Sequence, residues 1–172
     1  MKTYNFDNII EAIKIKIQFY IDKMAKENPS KLYLGLGASY NIGHESLHID
    51  LGLADQNTKS FTTGSDYVLQ WEIITSCFKN GEILNDAYID YNKYCYDISD
   101  KLEGKLYYDF VETNKNKFQK DFLIMLNALD YTKIKKTPNF FCWACDEDGS
   151  FWVCDEQSIP LNARQKLFGC KK

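Results

Sequence analysis

The stretch LYLGLGASYNIGHESLHIDLGL, residues 32–53, decides the fold. Apolar residues occupy every second position at both of its ends, which is the period of a β-strand with one buried face. Turn-forming residues at 41–44 separate the two runs, so the stretch predicts an antiparallel hairpin. With those four residues as the loop, Leu36 lies opposite Ile49 and the apolar faces of the two strands coincide.

In that register the other face of the hairpin carries Tyr33, His48 and Asp50, with Gly35 and Gly37 beside them. A histidine and a carboxylate two positions apart on one strand could form an acid–base pair or contribute to a small-molecule site. A polar, partly exposed sheet face explains the same residues. The glycines indicate a close approach by another part of the chain.

Beyond this hairpin, apolar residues spaced three and four apart predict helices, and two short apolar runs predict a second hairpin. Residues 55–84 give mixed signals. The order of elements predicts an α+β fold in one domain, 1–172, with an antiparallel or mixed sheet built from two hairpins and flanked by several helices. The predicted helices cover 7–28, 84–102, a segment from 106 or 118 to 129, and 158–169; the second hairpin joins 140–145 to 150–154.

Composition narrows the classes of function. A 45% hydrophobic content excludes disorder, and no apolar stretch is long enough to cross a bilayer. The N-terminus lacks the sequence pattern of a secretory signal peptide, so we expect a cytoplasmic protein whose cysteines are reduced. The net charge is −3 and Arg164 is the only arginine, which disfavours nucleic-acid binding. Nothing in the composition indicates a cofactor or an oligomeric state.

His44-Glu45-Ser46-Leu47-His48 matches the HExxH pattern of zinc proteases and contains both histidines of the chain. The pattern requires a helix, because only there do residues four apart share a face and a metal. Here the pentad runs from a loop into a predicted strand, where four residues span roughly 13 Å. A coincidental match is the favoured interpretation, and a zinc-dependent hydrolase is the alternative.

Cys142 and Cys145 resemble half of a zinc site that Cys154 and Cys170 would complete. However, residues three apart on a strand point to opposite faces, and the turn that curls two cysteines around a metal is missing. Packing in the core is the favoured interpretation for these thiols.

Two groups of residues are candidates for contact with a protein partner. The acidic sequence Asp146-Glu147-Asp148 lies at the predicted turn of the second hairpin, where it would be solvated and accessible. Tyr94 and Tyr96 lie away from the apolar stripe of the helix at 84–102, and exposed tyrosines are frequent in protein interfaces. Ordinary surface positions explain both groups as well.

Four short motifs, at 32–36, 57–58, 71–72 and 158–162, together resemble a bacterial family of uncharacterised domains. Members of that family are often encoded beside polymorphic toxins and resemble immunity proteins. The first hairpin loop, which is not acidic, and the region of Trp71 depart from the family pattern. The resemblance implies a non-enzymatic protein that binds a cognate toxin, and it implies no catalytic residues.

Overall fold

The computed structural model describes residues 3–42, 47–55, 72–76 and 85–146 of the chain. These residues form an α+β fold of helices and one mixed sheet. None of the helices in this part of the chain is long and apolar enough to cross a membrane. The elements are α1 (Asp7–Glu27), β1 (Leu32–Ile42), β2 (Leu47–Asp55), β3 (Glu72–Ser76), α2 (Asn85–Ser99), α3 (Lys105–Asn127) and β4 (Lys135–Asp146).

The four strands of this region form a single sheet in the order β3-β2-β1-β4. Strand β1 pairs antiparallel with β2 on one side and parallel with β4 on the other, and β3 adds antiparallel to β2. The prediction of a mixed sheet is therefore confirmed. The first predicted hairpin is present, whereas residues 150–154 of the second lie outside the described residues, as does the predicted helix at 158–169.

Helix α1 follows the predicted apolar stripe. Residues at spacings of three and four turn one face of the helix to the core, and the Asn5 side chain accepts the backbone N–H of Asp7 at 2.9 Å just before the first turn. The helix ends at Glu27, before Pro29, which cannot continue it. The buried residues are Ile9, Ile13, Ile17, Ile21 and Met24.

The hairpin register differs from the predicted one by four residues. Leu36 pairs with Leu53 instead of Ile49, because the strands extend to Ile42 and Leu47 and the connection falls at 43–46. A shift by an even number keeps the side chains from Gly35 onward on their predicted faces, and Leu36, Leu53 and Ile49 are all fully buried. The alternation thus predicted the faces correctly from Gly35 onward, whereas Leu32, predicted on the buried face, is 38% exposed. The predicted register is wrong.

Tyr33 is a second correction. One extra residue in β1 between Tyr33 and Gly35 forms a bulge opposite the Asp55–Ala54 step of β2. A bulge of this kind reverses the alternation of faces along the strand. Tyr33, predicted on a polar face, is fully buried and belongs to the core.

Strand β4 lies against β1 and begins at Lys135, five positions before the predicted strand. The pairing is interrupted between Lys136 and Phe141, a segment that contains Pro138, whose nitrogen has no proton for the ladder. At Gly35 a Cβ atom would lie 2.8 Å from the Phe141 carbonyl oxygen and 2.9 Å from its ring. The predicted close approach at this glycine is made by Phe141.

Helix α3 packs against α1 and the sheet through aromatic rings. The Phe118 ring lies 5.3 Å from Phe6 before α1 and 5.0 Å from Tyr40 of β1, centroid to centroid. Asn114, also buried in α3, accepts the Tyr4 N–H at 2.9 Å and donates to the Phe110 carbonyl at 3.0 Å. These contacts join the N-terminal residues, α1, α3 and β1 into one core.

Candidate functional site

The connection between α2 and α3 carries the candidate site. Helix α2 ends at Ser99, and Gly104 stands immediately before α3 with φ 54° and ψ −129°, a conformation that is essentially restricted to glycine. The Tyr94 and Phe110 rings lie 5.7 Å apart, so the two helices meet near this connection. Residues 96–108 therefore form a continuous corner at one end of the helix pair.

The two tyrosines predicted on α2 differ in position. Tyr94 is partly buried, with its ring 5.1 Å from Tyr4 and 5.7 Å from Phe110, and burial raises the pKa of its hydroxyl. The prediction that Tyr94 lies away from the core is wrong, because the N-terminal residues cover it. Tyr96 is 50% exposed, as predicted.

Two further exposed residues are not among the predicted binding residues. Leu106 is 59% exposed and Tyr108 is 72% exposed, and both belong to the first turn of α3. Tyr108 also contacts the half-buried Tyr107 ring at 6.0 Å. The signal that could have identified Tyr108 is its spacing of two from Phe110, which places it on the opposite side of the helix from the core. Leu106, four positions before Phe110, lies on the other side of α3 from Tyr108. We call residues 96–108, in which Tyr96, Leu106 and Tyr108 are exposed, the corner surface.

Carboxylates dominate the charge of the corner surface. Asp97, Asp100 and Glu103 are exposed, and Asp109 lies just beyond, within 2.6 Å of the Lys105 ammonium. Residues 96–109 contain four carboxylates and two lysines, a net charge of −2. By contrast, residues 115–136 contain six lysines and two carboxylates, a net charge of +4. The two segments of the same helix region therefore differ in sign of charge.

The predicted set Tyr33, His48 and Asp50 is not brought together. Tyr33 pairs with Asp55 at one end of β2, whereas His48 lies seven positions away near the other end. At about 3.3 Å per residue this separates the two by roughly 23 Å along the strand. His48 and Asp50 remain two positions apart in β2, and the buried Tyr33 is not beside them.

The end of the HExxH pentad has the predicted extended conformation. His48 belongs to β2 and pairs with Asn41, while His44 lies outside the described residues. A strand does not place two histidines four apart on one metal, as a helix would. Within 3–42, 47–55, 72–76 and 85–146, no three His, Cys, Asp or Glu residues are arranged to hold a metal ion.

Cys142 lies in a buried hydrogen-bonded group. The Tyr131 hydroxyl donates to the Leu126 carbonyl at 2.7 Å and lies 3.3 Å from the Cys142 sulfur, which itself lies 3.6 Å from the same carbonyl. Burial raises the pKa of the thiol to about 11 and disfavours the thiolate that a nucleophile or metal ligand requires. The predicted packing role is confirmed for Cys142. The backbone of Cys145, three positions on, pairs with Ser39.

The acidic turn is only partly within the described residues. Asp146 ends β4 opposite Tyr40, and Glu147 and Asp148 lie outside the described residues.

Comparison with models of protein families, with curated proteins and with solved structures gives no match for this chain.

Proposed function

We propose that the protein is a non-enzymatic binding protein of immunity type, which neutralises a cognate bacterial toxin in the cytoplasm. The observation that carries this proposal is the corner surface, where Tyr96, Leu106 and Tyr108 leave half or more of their surface in water. Tyrosine is enriched in protein interfaces and among the residues that contribute most to the binding free energy. The motifs at 32–36 and 158–162, through their family resemblance, support a toxin as the partner.

The proposed mechanism is stoichiometric occlusion. An inhibitor of this kind needs a surface complementary to its target and no reactive group of its own. The Tyr94–Phe110 contact joins α2 and α3 beside the corner surface, and the Asn114 hydrogen bonds attach α3 to the N-terminal residues, so its exposed rings belong to helices that pack on the rest of the fold. A preorganised surface loses little conformational entropy on binding, which favours a tight complex.

Co-expression with the product of the neighbouring gene tests the proposal. We expect a stable complex on size-exclusion chromatography and relief of the toxicity that the neighbouring product causes alone. The absence of a complex with every adjacent gene product would overturn the toxin-binding function.

The double variant Tyr96→Ala, Tyr108→Ala tests whether the corner surface makes the contact. We expect its affinity for the neighbouring product to fall by at least about 30-fold, the effect of losing interface anchors. A matched control is Ile15→Ala, Phe19→Ala on α1, whose side chains are 65% and 61% exposed. Equal losses in both variants would argue against the corner surface.

A further inference from the structure

Residues 3–6, which precede α1, contact α2 through aromatic rings. The Tyr4 ring lies 5.0 Å from the Tyr91 ring and 5.1 Å from the Tyr94 ring, centroid to centroid, and both tyrosines belong to α2. The Phe6 ring lies 5.4 Å from the same Tyr91 ring. We call residues 3–6 the N-terminal strap, which therefore meets α2 in three ring contacts.

The N-terminal strap is also attached to α3. The Tyr4 N–H donates to Asn114, and the fully buried Phe6 ring lies 5.3 Å from Phe118. Asn114 and Phe118 are themselves buried residues of α3. Residues of α2 are thus connected to α3 through the strap as well as through the contact between the Tyr94 and Phe110 rings.

Helix α2 leaves much of its apolar surface in water. Within 89–99, the part of α2 whose side chains the structure describes, Tyr91 and Cys95 are buried. Ile89 and Tyr96 are 59% and 50% exposed. Tyr91 owes part of its burial to the strap, because both strap rings contact it. A helix with few buried apolar contacts opens at a lower free energy than the core does.

We propose that the N-terminal strap holds α2 in a closed position, and that α2 opens as a unit when Tyr4 releases it. Helix α1, α3 and the sheet stay folded in the open state. Tyr4 is the residue that releases, because its ring is partly exposed whereas Phe6 is fully buried and stays on α3. The device is a conformational switch between the N-terminus and α2.

The consequence of this switch for binding rests on the proposed function. The corner surface combines Tyr96 of α2 with Tyr108 of α3, so only the closed state presents both rings together. A partner that contacts both helices binds the closed state and shifts the population toward it.

Hydrogen exchange of wild-type protein alone, followed over low concentrations of urea, tests whether α2 opens separately. Opening of α2 exposes less surface than global unfolding, so exchange in 91–99 should depend less steeply on urea than exchange in β1. Equal slopes for the two segments would show that α2 opens only with the whole molecule and would overturn the inference.

Tyr4→Ala tests the role of the strap. The variant loses two of the three ring contacts with α2, so exchange in 91–99 should become at least about tenfold faster. Tyr4→Phe keeps the ring, and its exchange in 91–99 should stay within about threefold of wild type. If Tyr4→Ala leaves this exchange unchanged, or if Tyr4→Phe accelerates it as much as Tyr4→Ala, the ring does not hold α2.

Tyr20→Ala is the matched control, since Tyr20 is a partly buried tyrosine that packs on the same core from α1. It should accelerate exchange in β1, which requires global unfolding, and leave 91–99 within about twofold of wild type. Equal acceleration of 91–99 by Tyr20→Ala and Tyr4→Ala would also overturn the inference.

A complex with the neighbouring gene product tests the link between the closed state and binding. Exchange in 91–99 should slow by at least about tenfold when the partner is in excess over its dissociation constant. Unchanged exchange in a complex that does form would overturn this link and leave the proposed function standing. Failure to form any complex would overturn the proposed function, and the exchange measurements on the protein alone would still decide whether the strap holds α2.

Discussion

Gly35 is the position at which one added methyl group has a direct steric consequence. A Cβ atom there would lie within 3 Å of both the carbonyl oxygen and the ring of Phe141. We expect Gly35→Ala to lower the free energy of unfolding by about 1 to 3 kcal/mol, since a crowded core relaxes only through shifts of backbone or side chains. Urea denaturation measures the effect.

The variant Phe141→Leu provides the control for Gly35. Removing the ring relieves part of the crowding and leaves the carbonyl contact in place, so Gly35→Ala should be less destabilising in the Phe141→Leu background than in wild type. An equal effect in both backgrounds would show that the ring is not the obstacle.

Cys142 makes stability depend on pH in the alkaline range. Burial raises the pKa of its thiol from 9.0 to about 11, so the folded state holds the proton more tightly than the unfolded state. The resulting stabilisation is fully present below pH 9 and is lost as the pH rises through 11, by about 2 to 3 kcal/mol.

Comparison with Cys142→Ala isolates this contribution. The free energy of unfolding of wild type minus that of the variant should decrease as the pH increases from 9 to 11. Ionisable groups that do not contact Cys142 are common to both proteins. A difference that stays constant with pH would contradict the prediction.

The N-terminal residues are attached to α3 through Asn114. Its buried amide accepts the Tyr4 N–H and donates to the Phe110 carbonyl, so Asn114→Ala leaves the partly buried Tyr4 N–H without this acceptor. We expect a loss of about 1 to 3 kcal/mol in unfolding free energy. Asn127→Ala is the matched control: Asn127 makes the same bond to the carbonyl four residues back, at 2.8 Å, on the exposed side of α3. It should change stability by less than about 0.5 kcal/mol.

Helices and strand faces could be predicted because their periods are local properties of the sequence. The stripe of α1 and the alternation of β1 and β2 each determine which side of an element is buried, whatever it packs against. The register of the hairpin could not be predicted in the same way. Pairing Leu36 with Ile49 or with Leu53 buries the same faces, so alternation alone does not choose between them.

The features that prediction missed depend on contacts between distant parts of the chain. Tyr33 is buried because of a bulge, and Tyr94 is partly buried because Tyr4 reaches it from the N-terminus. Of the candidate site, Tyr96 followed from helix geometry, whereas Leu106 stood on the apparent core spacing of α3, four positions before Phe110, and is nevertheless exposed. Leu106 lies in the first turn of α3, where no other described part of the fold covers the side of the helix that is buried further along.

The central position of β1 in the sheet predicts how exchange of backbone amide protons is distributed over the molecule. Because β1 has a strand on each side, its amides open only when the sheet itself separates. We expect peptides covering Leu36 to Tyr40 to exchange at the rate of global unfolding in hydrogen-exchange mass spectrometry. The last turn of α2 should exchange much faster. Equal rates in the two segments would contradict this hierarchy.

The parallel pairing of β1 with β4 also has a consequence for synthesis on the ribosome. The two strands begin at Leu32 and Lys135, so about 100 residues must be translated between them. At roughly 5 to 20 residues per second, β1 waits about 5 to 20 s for its second neighbour. During that interval one edge of the nascent hairpin is open to strands of other chains, and we expect the emerging protein to depend on chaperones until β4 closes that edge.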